Sequence, residues 1–218
     1  EKVLPSEAKE LSPKALAEEL GPPLVESADD LKRLAPNQPL WVDRKRNQVV
    51  MVGAVCKQVG PLELFACVAN SKEYESVVAV DVTPLAVQAG LLALGAEPGN
   101  PAQFAPEYVA PRGPVVEVIV IWKDRQGRRQ RDRAQSWVRR SGSQEAMDQP
   151  WVFTGSRFFR PEESGKEIYA ANLTGDLICV SNFADSVLDV PVPSTQEDSA
   201  LLYEAFTRAQ IPWEPSSP

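Results

Sequence analysis

The sequence predicts a single α+β domain, strand-rich, with antiparallel hairpins packed around one buried helix at about 84–94 and a C-terminal helix. Three observations carry this prediction. From Leu40 onward, short β-branched and apolar runs alternate with turn residues, the signature of many short strands. Thr83, Pro84 and Gly95 bracket one apolar run as N-cap, first helical residue and C-terminal stop. Ser194 and Glu197 fit the S-x-x-E capping box, which opens a second helix through about Arg208.

The elements follow in order. Residues 1–38 read as a Pro-rich, Lys/Glu-rich N-terminal arm, and 39–218 as the domain. In the arm, Ser12-Pro13 starts a short helix that Gly21-Pro22-Pro23 stops, and Ser27 with Asp30 starts another turn. Trp41 to Asp43 is a short strand and Arg44 to Asn47 a polar turn. Gln48 to Lys57 and Glu63 to Val68 form a hairpin about Gly60-Pro61. Ser76 to Asp81 is β-branched and apolar, hence a buried strand. The helix after it is apolar nearly all round, which places it at the centre of the core. Gly95 to Pro114, rich in Pro and Gly, is a long irregular connection. Val115 to Lys123 is the strongest strand; Asp124-Arg125-Gln126-Gly127 turns it and Arg128 to Val138 returns beside it. Pro150 to Thr154 and Thr174 to Ser181 are two further strands. In the final helix, Leu201, Leu202, Ala205 and Phe206 share a face.

Composition excludes several functions. The 218 residues include 23 Lys+Arg, 30 Asp+Glu and no His, a net charge of −7. Without His, a His general base and the common His-bearing zinc, iron and copper sites are out. No metal and no cofactor is therefore expected. No apolar stretch is long enough to span a membrane. The chain opens at Glu1 with no charged-then-apolar leader, which reads as a mature or trimmed form, so tethering through a removed leader stays open.

Three cysteines leave at least one thiol free or paired with another chain. Cys56 and Cys67 would face each other in the hairpin register. Cross-strand Cβ atoms lie about 4.5–5.5 Å apart and a disulfide needs roughly 3.5–4.5 Å, so only a close pair would bond. The alternative is two buried, reduced thiols. Cys179 lies in an apolar run and reads as core.

Three places carry enough polar chemistry to be sites. Between Arg112 and Arg140, nine Lys/Arg oppose three Asp/Glu, while the rest of the chain is acidic. Strand alternation puts Arg129, Arg131, Arg133, Gln135 and Trp137 on one face, suited to an anionic glycan or protein. The bland reading is a solvated, edge-protecting face, and the acidic balance of the chain argues against nucleic acid. Lys72, Glu73, Tyr74, Glu75 and Ser76 group an amine, two carboxylates, a phenol and a hydroxyl, which suits acid–base chemistry or an ordinary polar loop. Thr154-Gly155-Ser156-Arg157 and Ser181-Asn182-Phe183-Ala184-Asp185 are small polar clusters at strand ends, explained equally well as turns and caps. Asn172-Leu173-Thr174 matches the glycosylation sequon, a weak pattern.

Several blocks resemble the YdjY-like domain family. They are Gly60-Pro61-Leu62-Glu63-Leu64-Phe65-Ala66-Cys67, Lys72-Glu73-Tyr74-Glu75-Ser76-Val77-Val78 and Ala93-Leu94-Gly95-Ala96-Glu97-Pro98-Gly99. Pro150 to Ser156 and Gly175 to Phe183 continue the likeness, which spans roughly Trp41 to Phe206. The family's five-residue motif reads Lys-Glu-His-Glu-Ser, and Tyr74 stands here in place of its His. The resemblance implies a bacterial protein and an extracytoplasmic address (periplasmic, secreted or lipid-anchored). It implies no established activity, and the catalytic residues, if any, stay unassigned. The leading reading is a binding module without catalysis. The alternatives are an enzyme using the carboxylates of the Lys72–Ser76 segment and a thiol–disulfide protein.

Overall fold

Residues 21–162, 165–197 and 201–207 are described by the computed structural model. The apolar runs form strands of two to five residues that sort into several sheets, with few helices, so the fold is strand-rich. The largest sheet has seven strands. Its order is Gly53–Val55, Ser76–Val80, Leu64–Val68, Asp176–Cys179, Leu188–Asp189, Trp151–Phe153 and Val115–Val116. Two of its pairings are parallel, Leu64–Val68 with Ser76–Val80 and Asp176–Cys179 with Leu188–Asp189. Trp151 and Phe153 are fully buried in it, and the Trp151 indole N–H donates to the carbonyl of Cys179 at 2.8 Å. Phe65 packs on Trp151 with ring centroids 5.5 Å apart. Gly53 is needed at one edge, because a Cβ there would lie 2.6 Å from the carbonyl oxygen of Ala79.

The remaining strands build smaller sheets around this one. Leu31–Arg33, Leu40–Asp43 and Gln48–Met51 form an antiparallel three-stranded sheet. Its first strand lies within the segment read as the arm. Val138–Arg140, Tyr203–Phe206 and Val59–Leu62 form a second. Ile119–Lys123 and Arg129–Arg133 form a two-stranded ribbon. Its turn is the expected one: Asp124 Oδ1 accepts from the backbone N–H of Gln126 and Arg128, and Gly127 takes φ +76°. Phe158–Phe159 pairs with Ile168–Tyr169.

Several expectations are corrected by the pairing. The Gln48–Lys57 and Glu63–Val68 segments do not form a hairpin. Gln48–Met51 pairs with Leu40–Asp43, while Gly53–Val55 and Leu64–Val68 flank Ser76–Val80 on opposite sides. Gly60-Pro61 sits inside the strand Val59–Leu62, which leaves for another sheet. The run from Val115 is two strands in two sheets, because the chain changes partner after Val116. The return strand ends at Arg133, and a 3-10 turn, Ala134–Trp137, precedes the next strand.

The helix forms as expected over Pro84–Ala93, with Thr83 Oγ1 accepting from Ala86 N. It is not the centre of the core. Val87, Gln88, Gly90 and Leu91 are buried against the strands Leu40–Asp43 and Gln48–Met51, while Leu85 and Leu92 are exposed. A helix apolar all round carries no signal of which face turns inward, and the three-stranded sheet covers only one. The C-terminal helix is contradicted over its described part. Tyr203–Phe206 is a strand with Tyr203 and Ala205 buried. Period two fits those residues as well as a helical face does, and two strand partners decide it. The expected helix at Ser12-Pro13 and the end of the C-terminal one lie outside the described residues. Gly95–Pro114 is irregular, held by isolated bridges Asn100↔Arg112 and Gln103↔Val109.

Candidate functional site

The Lys72–Ser76 segment sits at one corner of the large sheet. A short turn, Glu73–Glu75, carries the chain from Leu64–Val68 into the parallel strand Ser76–Val80. Lys72 Nζ lies 2.7 Å from Asp176 Oδ1, a carboxylate only 2% exposed, and 4.3 Å from the centre of the Phe183 ring. Burial works against the Lys72 ammonium, but the Asp176 hydrogen bond and charge outweigh it and hold the lysine above its usual range. Ser76 is fully buried and donates to the Lys72 carbonyl at 2.7 Å. Glu73 accepts from the backbone N–H of Asn70, and Tyr74 stands 71% exposed with its ring in solvent. Glu75 adds its charge to that of Asp176 at the Lys72 ammonium, while the Tyr74 phenol stands apart in solvent. The segment is a braced crossover between parallel strands, with its lysine spent on Asp176.

The thiols gather beside this corner. All three cysteines are free; Cys67 and Cys179 are buried with Leu64, Ala79 and Phe183, and Cys56 packs against them. Strands flanking a common neighbour lie roughly 9–10 Å apart, beyond the roughly 7 Å between Cα atoms that a disulfide tolerates. Cys56 follows Gly53–Val55 and Cys67 lies in Leu64–Val68, with Ser76–Val80 between these strands, so the expected direct cross-strand register is absent although the two thiols interact. Cys56 Sγ also lies 3.0 Å from the Ser76 carbonyl. Its interaction with Cys67, followed by burial, pushes the Cys56 thiol up. The same interaction, against burial and helped by Ser76, lowers Cys67. Burial pushes the Cys179 thiol well up. Among the described residues no group of three or more Cys, Asp or Glu is arranged to hold a metal ion.

The two strand-end clusters meet, as a brace. Thr154 Oγ1 donates to the Ser186 and Val187 carbonyls at 2.6 and 2.8 Å, and Arg157 pairs with Asp185 at 2.7 Å. Behind them lies Asp189, fully buried. Its carboxylate accepts from Asn182 Nδ2, Val190 N, Phe183 N and Ser186 Oγ, at 2.7–3.1 Å. Burial pushes this carboxyl up to about 7, against four donors that favour the anion.

The arginine ribbon divides. Arg129, Arg131 and Arg133 do share a face, with their register partners Lys123, Ile121 and Ile119. Trp137 is not on it. The 3-10 turn swings Trp137 inward, 2% exposed, edge-on to Trp122 at 4.9 Å. Alternation cannot be extended through a turn, and that is where the one-face reading fails. The arginines also differ. Arg129 Nε donates to the Leu24 carbonyl at 2.6 Å and its guanidinium lies 4.0 Å from Glu26. Arg133 pairs with Glu117 at 2.9 Å. Arg131 makes no ion pair among the described residues.

That face looks onto a feature absent from the sequence reading, a cleft of about 900 Å³. Both edges of the seven-stranded sheet, Gly53–Val55 and Val115–Val116, line it, as do Ile178 and Leu188 from the middle strands. The sheet therefore curls round the cleft like an unclosed barrel. Helix residues Val87 and Leu91 close one side, and the ribbon residues Ile119, Ile121 and Trp122 another. One sequence signal marked it. The run from Val115 to Trp122 is apolar on both faces, yet only one face of the ribbon, with Val120 and Trp122, packs on the core.

No curated protein and no solved structure matches the chain. A family model does, the YdjY domain, over residues 40–213. It begins with the strand Leu40–Asp43 and takes in the seven-stranded sheet, the ribbon and the cleft lining from Arg46 onward. The chain belongs to the YdjY family.

Proposed function

We propose that this domain is a binding module without catalytic chemistry, and that its ligand occupies the cleft between the edges of the seven-stranded sheet. One observation carries the reading: the cleft is a large, mainly aliphatic recess, while the ionisable groups of the Lys72–Asp176 and Asp189 corners already satisfy one another. Its volume falls within the roughly 300–1,000 Å³ usual for small-molecule sites. The Lys72–Asp176 corner also borders a recess of about 630 Å³, but its amine is already paired with the carboxylate at 2.7 Å. The extracytoplasmic address belongs to the same proposal and rests on the family resemblance.

A neutral apolar probe, N-phenyl-1-naphthylamine, tests it. Its fluorescence rises on binding the wild-type chain, and Ile119→Trp or Ile121→Glu abolishes the rise while the far-ultraviolet spectrum is unchanged. Absence of binding to the wild-type chain overturns the reading, and so does unaltered binding to both variants.

A further inference from the structure

The cleft contains four charged lining residues: Arg46, Glu117, Lys123 and Arg131. Their pairing sorts them. Arg46 is taken by Asp43 at 2.8 Å and Asp30 at 3.2 Å. Asp43 is 2% exposed and also accepts from the backbone N–H of Lys45 and Arg46, so this pair is fixed in place. Glu117 is taken by Arg133. Lys123 and Arg131 remain, with no ion pair among the described residues. Both are exposed and stand on the same face of the ribbon, in pairs two registers apart, beside Ile119 and Ile121. Two cations without an ion pair among the described residues thus stand at the rim of a mainly aliphatic recess.

We infer that the ligand is a single-chain aliphatic carboxylate. Its chain lies along the Val, Ile and Leu walls and its carboxylate meets the Arg131 guanidinium and the Lys123 ammonium. This inference rests on the cleft being the ligand site. The lining takes in two continuous stretches, Arg46 to Val55 and Pro114 to Ile119, which offer an alkyl chain a largely aliphatic path. A guanidinium fork matches a planar carboxylate in a bidentate pair, and Lys123 adds a second charge without a geometric demand. The sheet edges, the helix and the ribbon contribute walls on several sides, which suits a single free chain better than a bilayer surface.

The test compares three ligands of equal chain length below their micelle concentrations: dodecanoate, dodecanol and dodecyltrimethylammonium. Binding to the full chain is followed by Trp fluorescence, since Trp122 lines the cleft. Dodecanoate should bind roughly tenfold or more tightly than dodecanol, and the cation most weakly. The double variant Lys123→Gln/Arg131→Gln should erase the preference and leave dodecanol affinity unchanged. Arg128→Gln, on the ribbon turn and outside the cleft, should keep it. Equal affinity for dodecanoate and dodecanol overturns the carboxylate inference while the apolar cleft stands. A preference that survives in the double variant also overturns it. Failure of all three ligands, together with failure of the neutral probe, overturns the cleft reading itself. Sedimentation with anionic phosphatidylglycerol vesicles, without binding of free dodecanoate, overturns the free-acid assignment.

Discussion

Two regions of this molecule invite comparison: the corner at Lys72, Asp176 and Asp189, and the cleft beside the ribbon. The corner is dense in polar residues, and its carboxylates are buried and paired or hydrogen-bonded from several sides. The cleft is lined mainly by aliphatic side chains with a polar minority, and its two ribbon cations make no ion pair among the described residues. The corner too borders a recess, of about 630 Å³, lined by Lys72, Asp176, Phe183 and Asp185. The difference therefore lies in pairing and not in openness. Buried polar groups at the corner bind one another, because an unpaired buried polar group is costly.

Substitutions that break the contrast differ in size. The largest effect is expected from Asp189→Ala, which strands four donors at a fully buried position. It should cost about 3–5 kcal/mol in urea unfolding. Lys72→Ala leaves Asp176 buried without its cation and should cost about 2–4 kcal/mol, with Lys72→Met/Asp176→Asn recovering most of the loss. Neither single variant should move probe affinity where the protein is still folded; a large loss of probe binding from Lys72→Ala would join the two regions functionally.

A pH series sharpens the comparison. Asp189 holds its proton in the folded state up to about 7, while an unfolded aspartate releases it near the ordinary value of 3.8. Folded protein then binds more protons than unfolded protein between these values. Its contribution to stability is fully present below the lower value and is lost as pH rises through the upper one. Asp81, which burial also pushes up, contributes in the same sense. Unfolding free energy should therefore fall between pH 4.5 and 7.5, by an amount on the order of 2 kcal/mol, and Asp189→Asn should flatten that slope. A rise over this range would mean that the four donors outweigh burial. The smallest effect is expected at the ribbon surface: Arg133→Gln with Glu117→Gln removes an exposed pair and should change stability by less than about 1 kcal/mol.

Legibility in the sequence followed the range of the physics involved. The helix at Pro84–Ala93 was legible because cap, proline and stop lie within one short window. The turn at Asp124–Gly127 was legible for the same reason. The strand Ser76–Val80 was legible from its β-branched run. The hairpin assigned across Gly60-Pro61 was not sound, since pairing of Val59–Leu62 with Tyr203–Phe206 joins residues far apart in the chain. At the candidate sites, the shared face of Arg129, Arg131 and Arg133 was legible from alternation, while the turn that buries Trp137 was not. The tie of Lys72 to Asp176 crosses more than a hundred residues, which no local motif records.

The sequence by itself determined the main helix, several strands such as Ser76–Val80, that charge concentrates on the ribbon, and that no histidine is present. Periodicity, capping and composition are local quantities, and they suffice for these. Only the tertiary structure decided which strands are neighbours, which cysteines gather, and how the ribbon arginines are paired among the described residues. Those outcomes depend on burial and pairing between distant segments, where one change of strand partner moves a side chain from core to cleft.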